Sequence, residues 1–327
     1  MNTDCIYEKA IEWIDNNTIE NDSGIILSSK RRVLYPEVTG YYIPSLLNIG
    51  KKELAISFAH HLCSIQNQDG SWNDSYNTAS YIFDTAQILK GLVAICNILP
   101  DVKENMIKGA EWILSNINEE GRLMQKKNDA WGNDEQYCND LIHTYCLSPL
   151  FDIARITGRN EFEAKAKKVL NYYIDHYYDR ITNFTLFAHF YAYVTEAMVD
   201  CGKIDIAQIA MKNLEKHVGS NGAITGYPDV KWVCSTAMFQ FAITWYKLGE
   251  KDKADKTFEY ASSLQNETGG WYGCYGVTTA ENRKNAWLAR LGLKKERAIY
   301  LADEEISWAV KFYLDAKYYK ELSEGKL

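Results

Sequence analysis

The chain has 327 residues, of which 46% are hydrophobic and 24% charged, and only 5 are Pro and 20 Gly, which leaves little room for linkers or low-complexity stretches. Its net charge of −7, with no run of five like charges, excludes the concentrated basic surface that nucleic acid demands, and no segment reaches the ~18 uninterrupted apolar residues of a membrane span. The opening MNTDCIYEKAIEWID lacks the basic start and continuous apolar core of a secretory signal, so the expected compartment is the cytoplasm. There the eight cysteines (Cys5, Cys63, Cys96, Cys138, Cys146, Cys201, Cys234, Cys274) read as reduced thiols, mostly packing between helices.

In chain order, Ile6, Ala10, Ile11 and Ile14 share one helical face. After the loop 16–24, Leu34-Tyr35-Pro36-Glu37-Val38-Thr39 leads into a helix through Tyr42–Ile49, with Pro36 in or just before its first turn. A second unit runs Glu53–Ile65, turns at Gln66–Trp72 and returns along Thr85–Leu99. A third runs Val102–Ile117, turns at Glu119-Glu120-Gly121, carries a long loop with Trp131 and Asp134, and returns from Asn139 to Ile156. The fourth pairs Glu161–Tyr177 with Thr185–Val199, the fifth Ile204–Val218 with Ser235–Leu248. The sixth pairs Lys251–Leu264, through the turn Gln265–Trp271 and a long loop, with Glu304–Lys317.

Six helix–turn–helix units at a fixed period indicate a repeat architecture. The first helices are amphipathic and the return helices apolar all round, the pattern of an outer and an inner layer. The expected fold is all-α, an (α/α)6 toroid of six helical hairpins forming a single domain over residues 1–327. Each return helix opens on a polar or capping residue: Thr39, Asp84-Thr85, His143-Thr144, His189, Ser235-Thr236 and Ser307.

In such a ring the loops entering the inner helices converge at one mouth, where helix N-termini present free N–H groups and a positive dipole end. The residues at those places are carboxylates, imidazoles and large aromatics, a composition suited to acid/base chemistry on a polyhydroxylated or polycyclic substrate. Glu37, Asp84, His143 and Glu305 are the expected catalytic set; Tyr35, Trp131, Asp140, Tyr145, His189, Trp232 and Trp308 are the expected substrate-binding set. Each has a plainer reading: Asp84 as a helix cap, His143 and His189 as packed histidines, Glu304-Glu305 as complements to a helix dipole, the tryptophans as core. The 23 Tyr and 9 Trp suit a pocket for an amphipathic ligand and equally suit ordinary packing. The spacing Cys138-x4-His143-x2-Cys146 is not a standard zinc arrangement, and there is no phosphate-binding loop, dinucleotide fingerprint, GxSxG or HExxH. No metal or cofactor is expected.

The turns Gln66–Trp72 and Gln265–Trp271 resemble the Q-x-x-x-G-x-W repeat of the terpenoid cyclases and related helical toroids. The resemblance implies the ring architecture more than an activity. The protonating motif of squalene–hopene cyclases is matched only by its end, Asp84-Thr85-Ala86, with Phe83 where the protonating Asp belongs. The zinc site of protein prenyltransferases is missing, since Tyr272 stands two residues before Cys274 and no His follows His217; the Cys-His pair of lanthionine cyclases is missing too. The general pattern is similar to toroids of surface-polysaccharide clusters, and toroids of this shape include glycoside hydrolases, polysaccharide lyases and sugar epimerases. What this implies is a carbohydrate-active enzyme with an oligosaccharide or small-molecule substrate. An isoprenoid cyclase or transferase, and a non-catalytic glycan- or protein-binding toroid, are the alternatives.

Overall fold

A computed structural model describes residues 3–19, 21–124, 139–291, 293 and 299–327. Trp131, Asp134 and Cys138 lie outside the described residues. Six outer helices, α1 (Thr3–Asn17), α3 (Lys52–Ser64), α5 (Lys103–Ser115), α7 (Asn160–Thr182), α9 (Ile204–Leu214) and α11 (Lys251–Ser262), alternate with six inner ones. The inner helices are α2 (Pro36–Asn48), α4 (Ile82–Ile95), α6 (Ser148–Thr157), α8 (Ala188–Asp200), α10 (Ser235–Lys247) and α13 (Ser307–Ser323).

The outer helices bury one stripe at i, i+3/i+4, i+7, as Ala55, Phe58, Ala59 and Leu62 of α3 or Ala254, Phe258 and Ala261 of α11 illustrate. Each large apolar side chain so buried contributes about 1.5–3 kcal/mol. Inner helices touch protein on every side: all of α10 from Ser235 to Tyr246 is buried. Contacts run α2 to α4, α4 to the 3-10 segment Asn139–Cys146 that precedes α6, that segment to α8, α8 to α10, α10 to α13, and α13 back to α2, which closes the inner ring.

Closure depends on ties between the first and last hairpins. Tyr42 Oη donates to the Ser307 carbonyl at 2.7 Å, Ser307 Oγ to that of Leu27 at 3.0 Å, and Gln265 Nε2 to that of Ile6 at 2.9 Å. The last bond belongs to a repeated joint. In Gln66–Trp72 the Gln side chain bonds the carbonyls of Gly70 and, on the next outer helix, Asn105, while Trp72 Nε1 reaches back to Leu62. In Gln265–Trp271 the Gln bonds Gly269 and Ile6, and Trp271 reaches back to Ala261. The turn glycine has φ +95 at Gly70 and +94 at Gly269, and each lies on a mid-helix backbone carbonyl, of Lys108 and Lys9, where a Cβ would collide. Gly121 against Lys168 and Gly222 against Lys256 make the same joint without the Gln and Trp.

Element boundaries depart from the sequence expectation in places with physical causes. The third return segment is 3-10 over Asn139–Cys146, and the α-helix begins only at Ser148. Pro149, in the first turn of α6, has no N–H to bond backwards, so the α ladder cannot run through it. The fourth outer helix does not end at Tyr177; it kinks there (φ −130, ψ 24) and continues to Thr182. Its partner starts at Ala188 rather than Thr185. The last inner helix starts at Ser307, not Glu304, because Glu305 and Ile306 are held extended by bridges to Tyr272 and Ser28. The long loop of the sixth hairpin contains a further helix, α12 (Thr279–Arg290).

Nor do the inner helices open on polar caps. Their N-cap residues are Tyr35, Tyr81, Leu147, Phe187, Cys234 and Ile306, none with a side-chain capping bond. Short bridges between the entering loops orient these starts instead, including the antiparallel pairs β1 (Thr18–Ile19) with β2 (Gly24–Ile25) and β3 (Val233–Cys234) with β4 (Cys274–Tyr275). Among the described residues no helix is long and apolar enough to cross a membrane.

Candidate active site

Pro36 occupies the first position of α2, where its missing N–H costs nothing, and sets Glu37 in the first turn. Glu37 is 3% exposed. Burial pushes its carboxyl up to about 7, against the opposing pull of a hydrogen bond from the Tyr35 hydroxyl and of the Lys311 and Lys90 ammonium groups. A carboxyl in that range is substantially protonated at neutral pH and can donate a proton.

Asp84 lies one hairpin on, in the first turn of α4. The N-cap there is Tyr81, so Asp84 is not the cap its Asp-Thr signature suggested. It is buried, and the Tyr35 hydroxyl, pushed well up mainly by its own burial, is raised further by the charges of Glu37 and Asp84, which places the phenol within the field of both carboxylates. The two helix starts come together because α2 and α4 cross at glycines: a Cβ on Gly40 would strike the Ile88 backbone, and one on Gly91 the Gly40 carbonyl.

Tyr193 of α8 links the remaining groups. Its ring lies 4.7 Å from Tyr145, 4.6 Å from His189, 5.0 Å from Phe83 and 6.0 Å from Phe312, and its hydroxyl feels the Glu37 charge. His189 is buried, its imidazole held down to about 4 by desolvation against a weaker pull from Gln240. His189 Nδ1 lies 2.6 Å from Gln240 Oε1, so Nδ1 carries the proton and Nε2 is left as an acceptor. Trp308 packs edge-on to Tyr35 at 6.2 Å and donates its indole N–H to Tyr300 Oη at 3.0 Å. Tyr300 also meets Phe187 at 4.7 Å, and Phe187 meets Trp232, which lies over Gly226 where no Cβ would fit. Thus Glu37, Tyr35, Tyr145, His189, Trp308 and Trp232 form one connected group, with Asp84 near enough for its charge to act on Tyr35.

Three candidates have other surroundings. Asp140 is paired with Arg122 at 2.9 Å and faces Tyr173 of the outer helix α7. His143 is buried near Arg122 and held down to about 4 by desolvation and that cation, so it is a neutral imidazole. Glu305 is buried at the seam between first and last hairpins. It accepts from Trp13 Nε1 and Asn266 Nδ2, both at 2.8 Å, and from Thr268 Oγ1, while its backbone N–H donates to Ser29 Oγ at 3.0 Å. Neutral donors fill its acceptor positions, which fits a structural joint rather than proton transfer.

Several residues of the group escape a reading based on helix starts alone: Tyr41, Tyr193, Phe312, Tyr300, Lys90 and Lys311. Tyr41, Tyr193 and Phe312 stand four residues after Glu37, His189 and Trp308, one turn deeper on the same face, so the i, i+4 rule applied to each candidate finds them. Lys311 is buried, paired with Asp315 at 2.6 Å and 4.0 Å from the Phe312 ring centroid. Lys247 pairs with Glu196 at 2.9 Å and Asp200 at 2.7 Å. Lys90 makes no ion pair among the described residues; its Nζ lies 2.8 Å from the Tyr145 ring centroid, and burial pulls the amine down to about 7.

Among the described residues no group of three or more His, Cys, Asp or Glu side chains is placed to hold a metal ion. A groove of about 260 Å³ between α9 and α11, floored by Met211, Trp245 and Leu248, lies away from this group, and its Glu215 and Glu250 are paired with Lys253.

No family model matches the sequence, and no curated protein does. Solved structures do resemble it along the whole chain. One is an unsaturated glucuronyl hydrolase specific for heparin, with a TM-score of 0.72, 13% identity, and coverage of 98% of this chain and 97% of that one. A glycosyl hydrolase of family 88 from Bacteroides vulgatus gives 0.68 at 10% identity, covering 99% and 100%. A polysaccharide lyase gives 0.69 at 11% identity, covering 100% and 99%. At such identities the likeness establishes the fold, and the chain is an α/α toroid.

Proposed function

We propose that this protein is a carbohydrate-active enzyme that breaks a glycosidic linkage, with Glu37 as proton donor and Asp84 as the second carboxylate. The observation that carries the reading is the buried Glu37 carboxyl, raised to about 7 and bonded to Tyr35, among aromatic faces at the starts of the inner helices. Protonated Glu37 gives its proton to the departing glycosidic oxygen. Asp84, as carboxylate, accepts a proton from the attacking water or stabilises the developing positive charge on the ring. Tyr35, Trp308 and Trp232 offer faces for sugar rings, and His189 Nε2 offers an acceptor to a sugar hydroxyl.

Lys90 and Lys311 favour an acidic sugar. A substrate carboxylate reaching Lys90 would give its ammonium the close ion-pair partner that it does not have among the described residues. The named activities of the similar structures, a glucuronyl hydrolase and a polysaccharide lyase, fit such a substrate. If the substrate is a uronic acid, proton abstraction next to its carboxylate is a lyase variant of the same arrangement. The same charges weigh against isoprenoid cyclisation, which uses an apolar cavity. We place the activity in the cytoplasm, in the assembly or processing of a cell-surface polysaccharide.

The test is turnover on a panel of neutral, uronic and unsaturated uronic oligosaccharides by wild type, Glu37→Gln and Asp84→Asn. Each amide is expected to lower the rate by ~10²–10⁴-fold with the fold intact. Wild-type rates in both variants would remove this assignment. A ligand-induced rise in melting temperature without turnover by any form supports the binding-protein alternative instead.

A further inference from the structure

Cys234 and Cys274 are register partners in the antiparallel pair β3–β4. Partners in such a ladder have Cα atoms about 4.5–5.5 Å apart and side chains on the same face, within the ~4.4–6.8 Å range that a disulfide spans. Both are buried, both are free thiols, and no other described cysteine pair shares a register. The segments are already tied together: Ser235 Oγ donates to the Tyr272 carbonyl at 2.5 Å, and the Gly273 N–H to that of Leu301 at 2.9 Å. A bond between the two sulfurs would therefore need little backbone movement.

We propose that Cys234 and Cys274 form a dithiol site which hydrogen peroxide oxidises to a reversible disulfide, fastening the fifth hairpin to the sixth at the mouth of the ring. In the first step a thiolate attacks the peroxide O–O bond, giving a sulfenic acid and, with protons from solvent and thiol, one water. In the second, the other thiol attacks that sulfur, the S–S bond forms, and a second water leaves. Two thiols lose two electrons and two protons in all, and one peroxide is reduced. Cys234 immediately precedes α10, where the amides of Thr236 and Ala237 offset part of the burial penalty on its thiolate, and either sulfur can attack first. Burial nevertheless raises both thiols, Cys274 to about 12, so the reaction is slow beside that of an exposed redox thiol.

The disulfide would pin β3, which follows Trp232 and leads into α10, to the loop that carries Tyr272 and, further on, Tyr300. The experiment exposes the full-length protein to hydrogen peroxide, blocks remaining thiols with N-ethylmaleimide in denaturant, and maps the peptides by mass spectrometry. The expected result is one linked peptide pair containing Cys234 and Cys274, lighter by two hydrogens, removed by dithiothreitol and absent in Cys234→Ser. Cys274→Ser must also abolish it, which covers a failure of the first variant to fold. Recovery of both cysteines as maleimide adducts, their appearance in other linkages, or oxidation to sulfinic acid without linkage overturns the proposal. None of these readouts depends on the enzymatic reading.

Discussion

Glu37 and Glu305 stand near the starts of neighbouring inner helices, α2 and α13, and their surroundings differ sharply. Glu305 is met by two side-chain N–H donors and a hydroxyl at the seam where the ring closes. Glu37 is equally buried but has the Tyr35 hydroxyl as its near partner, with cations further off, and its carboxyl rises to about 7. The contrast shows that a place in the repeat does not assign a role. A carboxylate whose lone pairs are filled by fixed donors is part of the frame, whereas one that is buried and under-supplied holds its proton.

The largest expected effect separates the two residues by activity. Glu37→Gln should cost ~10²–10⁴-fold in turnover. Glu305→Gln should retain most of the turnover per folded molecule; a matching loss in both would erase the distinction. Stability should show the opposite order. Glu305→Ala strands the buried Trp13 indole N–H and leaves Asn266 and Thr268 without their acceptor, and we expect about 1–3 kcal/mol lost, read as a lower urea midpoint. Next comes the crossing that brings Glu37 to Asp84. Gly91→Ala drives a methyl into the Gly40 carbonyl, with about 1–3 kcal/mol lost and turnover reduced as the helix starts separate. Unchanged turnover in folded Gly91→Ala would show that the approach of α2 to α4 does not matter to the site. Trp72→Phe should cost the least, about 1–2 kcal/mol, since it leaves the Leu62 carbonyl without its donor.

The same comparison predicts a pH signature. The Glu37 carboxyl moves from 4.5 in the unfolded chain to about 7 in the folded one, so between those values the folded state holds a proton that the unfolded state has released. Stability therefore falls as pH rises through this window, and the penalty is complete above about 7. Glu37→Gln removes the effect, so its urea midpoint should gain on wild type from the acid to the alkaline side; parallel curves would contradict the raised carboxyl. Wild-type activity should decline as pH rises through about 7, since the proton donor is then spent.

Much of the frame was legible because repetition and hydrophobic period are local properties. The stripe Ile6, Ala10, Ile14 and the two Gln-to-Trp turns sufficed to mark outer helices, their inner partners and the ring. The joints at Gly121 and Gly222 were harder to read, since they keep only the glycine and dispense with Gln and Trp. The candidate site was legible in part. Glu37, Asp84, His189 and Trp308 were candidates from their places near helix starts, whereas Tyr193 and Lys90 are ordinary helical residues until the neighbouring helices are set around them.

By itself, then, the sequence determined six hairpins and an apolar inner layer, because helical periodicity and turn chemistry act over a few neighbouring residues. The tertiary structure alone decided that Glu305 and Asp140 are held by neighbouring donors while burial pushes the Glu37 carboxyl up to about 7. Burial and the distance to a partner are set by segments as far apart as Trp13 and Glu305, and no local pattern carries that information.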